Sequence, residues 1–367
     1  MPKPQTRQIQ LIIRELGEQL GFISCLEERL HSREDYAPHY DAVWYLDLEK
    51  HFSISPFQKL FKNAPDIGER IKLLPFAGFE VEGAATSSKN QISNFANLYS
   101  GNFLYNFVIV NNEAASSEND TYRRGIKLKR YFANNSGDRN VFFLDRIHLE
   151  HSISKLTCFE NNIITPESDD PARKKFGGET ASMPLYEALL PMLKETRMAL
   201  FQNYSPWIYS IINRMAQDAA GSCEFGNFHL GLSYYKDPRH KEVSKAKTLP
   251  ESLYVPKLDV CLGFNAPNGF KAWLTVLAEA LGYNEAHFPI LYALKHKLIP
   301  DLFIQLVGVE IETSVNKHLN GGIYNLAKNT YAGVVVTKEN ASSHVDFYKR
   351  ELGVKNVTAY CIEGQDK

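Results

Sequence analysis

The sequence predicts a mixed α/β (α+β) protein in which one fold occurs twice. Strand-like and helix-like segments alternate through both ends of the 367-residue chain. Six short stretches of the first part recur in the same order in the last. Between them lies a stretch of different character, rich in Pro and Asp and then helical in pattern. These observations divide the chain into copy one at 1–150, a mainly helical joining segment at 151–253 that serves as a linker or as an element reading a bound polymer, and copy two at 254–367.

The elements of copy one follow from local pattern. In "TRQIQLIIRELGEQLGFISCLEERL" (6–30), Ile9, Ile12, Ile13, Leu16 and Leu20 share one helical face. "YDAVWYL" (40–46) is a short strand, and "SPFQKLFKNAPDIGERIKLL" (55–74) a helical connection broken by Pro65. "GFEVEG" (78–83) reads as a strand, "QISNFANLY" (91–99) as a helix and "NFVIVNN" (106–112) as a strand. "TYRRGIKLKRYF" (121–132) fits a helix, and "NVFFLDRIHL" (140–149) a strand. The joining segment opens with the loop "TPESDDPARKKFGGET" (165–180). Two helical stretches follow, "PLYEALLPMLKETRMALF" (184–201) and "WIYSIINRMAQDAA" (207–220), then the basic, exposed "SYYKDPRHKEVSKAKTLPESL" (233–253).

The repeat is read residue against residue. "PHYDAVWYL" (38–46) matches "PKLDVCLGF" (256–264), and "GFEVE" (78–82) matches "GVEIE" (308–312). Lys89 matches Lys317, and each is followed by Asn-Leu, at 97–98 and 325–326. "FVIV" (107–110) matches "GVVV" (333–336), and "NVFFLDRI" (140–147) matches "NVTAYCIE" (356–363). Asp41 and Asp259 are 218 residues apart, Glu80 and Glu310 230, Lys89 and Lys317 228. Drift that small places the insertions in loops. Each copy then reads strand (Asp), helix, strand (Glu-x-Glu), helix, strand, helix, strand.

Bulk composition narrows the functional classes only slightly. The formal charge of −1 singles out no partner, although a local basic face can still meet nucleic acid. The five cysteines, at 25, 158, 223, 261 and 361, form no zinc spacing and no disulfide framework, which suggests a reducing compartment. The N-terminus lacks a signal-peptide core, and no apolar run reaches membrane-spanning length. A cytoplasmic protein with no membrane partner is expected.

The carboxylates carry the chemistry. Side chains alternate across a strand, so Glu80 and Glu82 share one face and Val81 takes the other. Glu310 and Glu312 flank Ile311 in the same way. A lone Glu-x-Glu is most simply a solvated strand face. Here the flanks are apolar, an aspartate strand precedes each pair, and the arrangement occurs twice. Carboxylates gathered together repel unless a cation neutralises them. Oxygen donors with open positions suit Mg²⁺ or Mn²⁺ rather than zinc. Lys89 and Lys317, each following an acidic strand, would orient a water or stabilise developing charge; either alone is equally well a surface lysine.

This pattern, an Asp on one strand and Glu-x-Glu on the next, resembles the PD-(D/E)XK nuclease superfamily, which includes type II restriction endonucleases. The resemblance covers roughly 36–150 and 254–364 and leaves out the joining segment. It implies two restriction-endonuclease-like mixed sheets flanked by helices. By position it makes Asp41 and Glu80 metal ligands in copy one, and Asp259 and Glu310 in copy two. Glu82 and Glu312 stand where the family more commonly has Lys, to orient water or hold a second ion. Lys89 and Lys317 would compensate from the next helix. The literal Pro-Asp at 300–301 makes Asp301 an alternative ligand to Asp259, but copy one has no acid at the equivalent place.

The resemblance implies a Mg²⁺- or Mn²⁺-dependent, restriction-type endodeoxyribonuclease acting on double-stranded DNA. With both copies active, each would cut one strand, in a monomer with two sites or in a homodimer. "RRGIKLKR" (123–130) and "KDPRHKEVSKAK" (236–247) would neutralise phosphates, although a solvated face explains either equally. The alternative from another class is a non-catalytic module with a degenerate nuclease fold that binds nucleic acid or protein. A carboxylate-pair glycosidase is a third reading, less suited to acids on one strand.

Overall fold

A computed structural model of the chain describes residues 4–30, 38–50, 58, 60–101, 103–112, 120–136, 141–156, 209–212, 258, 260–281, 303–312, 315 and 317–362. The first part begins with α1 (Pro4–Gln19), whose Ile9, Ile13 and Leu16 enter the core as their spacing requires. β1 (Ile23–Arg29) and β2 (His39–Asp47) follow, then α2 (Pro65–Lys72), β3 (Leu73–Gly83) and α3 (Ser88–Ser100). β4 (Tyr105–Asn111), α4 (Asp120–Ser136), β5 (Val141–Asp145) and α5 (Arg146–Leu156) complete it. Pro65 starts α2 rather than breaking it, because the first turn needs no donor there.

The second part contains β6 (Tyr209–Ile212), β7 (Val260–Asn265), α6 (Asn268–Ala280), β8 (Phe303–Ile311) and α7 (Lys317–Asn329). It ends with β9 (Ala332–Lys338), α8 (Glu339–Leu352) and β10 (Val357–Ile362).

The two sheets have the same order and the same strand senses. The first runs β1-β2-β3-β4-β5 and the second β6-β7-β8-β9-β10. The first two pairings are antiparallel and the last two parallel in each. Even the irregularity recurs: the β2–β3 register shifts between Trp44 and Tyr45, and the β7–β8 register between Leu262 and Gly263. A bulge is a local backbone feature with no reason to fall twice at one place by chance.

Register corrects one of the matches. Phe107 faces Phe79 across β3–β4, and Val334 faces Val309 across β8–β9. Phe107 therefore corresponds to Val334, and Gly333 takes the place of Asn106. "FVIV" aligns one residue further on than the apolar letters suggest. The reason is steric: a Cβ on Gly333 would lie 2.7 Å from Leu326 Cβ.

Two other expectations change. The stretch after α1 contains β1, which apolar helical spacing alone disguised. "WIYSIINRMAQDAA" was expected to be helical, but Tyr209–Ile212 pairs with β7. The second sheet thus draws a strand from the joining segment, and a boundary at 253/254 does not separate it. β-Branched and aromatic residues favour a strand once a partner edge is available. The loop at 165–180, the helix expected at 184–201 and the basic stretch at 233–253 lie outside the described residues.

The halves share a core. Phe270 and Trp273 of α6 reach into the first sheet's aromatic cluster: Trp273 stands 5.4 Å from Trp44 and 5.2 Å from Phe107, and Phe270 4.9 Å from Phe76. Trp273 Nε1 donates to Ser152 Oγ on α5 at 3.0 Å. In return Asn63 Nδ2, just before α2, donates to Ala359 O of β10 at 3.4 Å, and Lys62 lies 5.5 Å from the Tyr360 ring. In both halves it is the segment joining the second and third strands that crosses over.

Candidate functional site

Strand alternation sorts the first sheet into two faces. Phe79 and Val81 point into the shared core with Trp44 and Phe107. Glu80 and Glu82 point the other way, toward the cluster of Phe95, Leu98, Val108 and Val110 under α3 and α4. The pairing Ala42↔Phe79 puts Asp41 opposite Glu80 on that second face.

The two glutamates are almost fully removed from solvent, with Glu80 4% and Glu82 1% exposed. Glu80 and Asp41 hydrogen-bond to each other. Burial, then the Asp41 charge, pushes Glu80 well above the usual carboxylate range. Burial also raises Asp41, opposed by the bonds it accepts. Its Oδ2 accepts from Val81 N at 2.6 Å and its Oδ1 from Gln10 Nε2 at 2.8 Å. Burial raises Glu82 to about 7, against the lowering effect of its amide donors and of Arg124.

A frame of amides holds the acids. Gln91, Asn94 and Asn97 recur every three residues on α3 and face the strand. Gln91 Nε2 donates to Glu82 Oε2 at 2.7 Å, Asn94 Nδ2 to Glu82 Oε1 at 3.4 Å, and Asn97 Nδ2 to Glu80 Oε1 at 3.4 Å. Gln91 is itself fixed, because Arg124 Nε donates to its Oε1 at 2.6 Å and Gln91 Nε2 also donates to Thr121 O at 2.8 Å. Arg124 further donates to Thr86 O. Ser87 caps the helix by accepting from Asn90 N, which sets the rotation of all three amides.

At the outer edge, Glu27 of β1 accepts from Gln10 Nε2 at 2.5 Å and lies 3.3 Å from His39 Nδ1. Its φ of +54° is in the left-handed region, rare for a residue with a side chain. The kink takes Glu27 out of the ladder between Leu26↔Ala42 and Glu28↔Tyr40, beside Asp41.

The structure therefore brings together Asp41, Glu80 and Glu82. It does not bring Lys89 to them: Lys89 is exposed, about 200° around the helix from Gln91. Sequence reasoning missed Gln10, Glu27, Gln91, Asn94, Asn97 and Arg124. The i, i+3, i+6 amides were a readable signal; Gln10 and Glu27 are joined to Asp41 only by folding.

In the second sheet Glu310 occupies the strand position equivalent to Glu80, Glu312 follows the last residue of β8, and both are partly exposed. Thr337 Oγ1 donates to Glu312 O at 2.6 Å. Asp259, Asp301 and the Lys317 side chain lie outside the described residues.

The basic stretch of α4 does not form one face. Lys129 is buried and Arg124 is committed to Gln91, while Arg123, Lys127 and Arg130 lie outward. Arg123 pairs with Asp120 at 2.5 Å.

Among the described residues, no group of three or more His, Cys, Asp or Glu side chains is placed to hold a metal ion. The donors nonetheless suit a hard cation. The half-buried Asp41 and the buried Glu80 lie side by side, and Mg²⁺ is commonly held by one or two carboxylates with waters and phosphate completing its shell. Also among the described residues, no helix is long and apolar enough to cross a membrane. No family model, curated protein or solved structure matches the chain.

Proposed function

We propose that this chain is a Mg²⁺- or Mn²⁺-dependent endonuclease of PD-(D/E)XK type that hydrolyses phosphodiester bonds of double-stranded DNA in the cytoplasm. The observation that carries this reading is the pair formed by half-buried Asp41 and buried Glu80 facing across two antiparallel strands, with Glu82 on the same face. Two like charges so placed are stable only with a proton or a cation between them. Asp41 and Glu80 would hold the ion. When bound, it would polarise a phosphate oxygen and lower the pKa of a water.

The remaining roles belong to the chain's own residues. Val81 N and Gln10 keep Asp41 turned toward Glu80. Gln91 and Asn94 fix Glu82, which would orient the attacking water. Arg123, Lys127 and Arg130 would meet backbone phosphates.

The test is incubation of supercoiled plasmid with the full chain in Mg²⁺, in Mn²⁺ and in a chelator. Cutting that needs the ion and disappears in Glu80→Gln is expected. No cutting with either ion overturns the enzymatic reading. It would favour the second one, a nucleic-acid- or protein-binding module with a degenerate nuclease fold. That alternative draws on the absence of a three-acid cluster among the described residues and on the satisfied amide frame around Glu82.

A further inference from the structure

The proposed site gathers acids, yet its substrate is an anion. Asp41, Glu80 and Glu82 share one face, and Glu27 stands beside Asp41. A phosphate approaching such a group needs positive charge from the chain as well as from an ion. The two cations nearest in sequence do not supply it. Lys89 is turned outward. Arg124 gives Nε to Gln91 Oε1 at 2.6 Å and Nη2 to Thr86 O, within the frame that holds Glu82.

The opening of the site lies where β2 parts from β3. Their pairing ends at Ala42↔Phe79, while β3 stays paired with β4 as far as Gly83↔Asn111. Among the described residues, 80–83 therefore pair with a strand on one side only. Asp41 reaches into that gap and accepts from Val81 N at 2.6 Å.

α1 passes beside the gap. Its Gln10 is fully buried and donates from Nε2 to Asp41 Oδ1 at 2.8 Å and to Glu27 Oε1 at 2.5 Å. Both amide hydrogens are thus used. Glu27 leaves the strand ladder, with its φ of +54°, to take the second of them. The amide oxygen accepts from Arg7 Nη1 at 3.3 Å. Arg7 lies one turn before Gln10 and is exposed. A single clamped amide therefore separates its guanidinium from Asp41, a proposed ligand of the ion. One corner of the guanidinium is tied down at the mouth of the site. The remaining N–H groups of this planar fork match the oxygens of a phosphate.

Resting on the nuclease reading above, we infer that Arg7 is the phosphate-binding residue of this site. Its guanidinium holds a backbone phosphate of the DNA strand beside the ion on Asp41 and Glu80, and Gln10 is the positioning residue that sets the spacing between them. Arg123, Lys127 and Arg130 differ, because none of them is hydrogen-bonded to a residue that holds a ligand of the ion. Arg7 acts on the rate of cutting as well as on affinity.

The experiment uses the full chain and a short DNA duplex. Binding is followed by fluorescence anisotropy in Ca²⁺ over a salt series, and cutting of the same duplex in Mg²⁺. Arg7→Ala should lower the log–log salt slope by about 0.9, the share of one phosphate contact. It should slow cutting at saturating DNA about 10²- to 10³-fold, as loss of one donor to a charge that grows in the transition state does. Arg7→Lys keeps the charge but not the fork, so it should restore the slope and only part of the rate. Arg14→Ala, two turns along α1 where Arg14 pairs with Glu18 at 3.8 Å, should change neither. Mn²⁺ binding, read from the paramagnetic resonance of the free ion, should be equal in Arg7→Ala and wild type. A wild-type slope or a wild-type rate in Arg7→Ala overturns the assignment and leaves the nuclease reading standing. Loss of Mn²⁺ binding in Arg7→Ala overturns it too, since Arg7 would then act on the ion through Gln10 and Asp41. If the wild type binds the duplex but cuts it with neither Mg²⁺ nor Mn²⁺, the nuclease reading fails, and the salt slope alone decides for or against the phosphate contact. If the wild type binds no duplex, both fail.

Discussion

The carboxylate rows of the two halves differ in their surroundings far more than in their strands. Both sheets run antiparallel, antiparallel, parallel, parallel, and both bulge at the same place. Yet Glu80 and Glu82 are sealed under a helix that presents three amides, while Glu310 and Glu312 lie partly open beneath a helix with Leu319 and Gly322. Backbone topology places an acid, and the helix packed over it decides what that acid can do. Burying a carboxyl is costly unless hydrogen bonds or an opposite charge compensate. In the first half that compensation comes from Gln91, Asn97 and Arg124.

The sharpest way to break the comparison is paired substitution. Glu80→Gln is expected to abolish plasmid cutting, and Glu310→Gln to leave its rate unchanged. Equal losses in the two variants would make the halves functionally alike.

A second substitution tests whether the halves fold together. Trp273 belongs to the second half by sequence but is fully buried in the first half's core. Trp273→Ala should destabilise by about 3–5 kcal/mol, the usual range for emptying a large aromatic site. Denaturant curves monitored at both sheets should shift together. If the first sheet kept its midpoint, the shared core would carry no coupling.

The ion-free protein should also lose stability as pH rises. Glu82 titrates at about 7 in the folded state, against an ordinary value of 4.5. Between those values the folded chain retains a proton that the unfolded chain has released, so stability falls as pH rises through that window. Urea midpoints between about pH 5 and 7 should show it. Glu82→Gln should make the profile less steep.

The outer helices give a smaller contrast. Replacing Arg123, Lys127 and Arg130 by Gln should reduce the log–log salt slope of DNA binding by roughly 2.7, about 0.9 for each phosphate contact. Replacing Lys349 and Arg350 of α8 should leave it unchanged. An unaltered slope in the first triple variant would return that face to ordinary solvation.

The smallest effect concerns Asn106 in β4. It is fully buried, and neither its side-chain oxygen nor its nitrogen has a hydrogen-bond partner among the described residues. The second half has Gly333 there. Asn106→Val should stabilise by about 1–2 kcal/mol by removing an unsatisfied polar group. Destabilisation instead would mean that the amide serves the face it shares with Glu80.

Much of this architecture was legible along the chain. Period-two alternation showed β3 and its two glutamates, and helical spacing showed α1. Recurrence of Asp and Glu-x-Glu indicated a duplication whose strand order the sheets share. These signals are local or are self-comparisons, so a sequence carries them in full. The short β1 and β6 were lost because a strand of few residues takes its identity from its pairing edge. The one-residue slip at Gly333 was lost because apolar letters align equally well in either register, and only Leu326 packing over the glycine distinguishes them.

The site divides in the same way. The chain by itself determined that Asp41, Glu80 and Glu82 belong to strands, and that the two glutamates share a face, because strand geometry leaves no other choice. It held Lys89 close to them in number, but helix rotation turns Lys89 outward and Gln91 inward. Only the tertiary structure joined Gln10, 31 residues away, to Asp41, and Arg124, 33 residues away, to Gln91. Such contacts depend on how helices settle on a sheet, which is set by the sum of packing over the whole core and is written in no single stretch of residues.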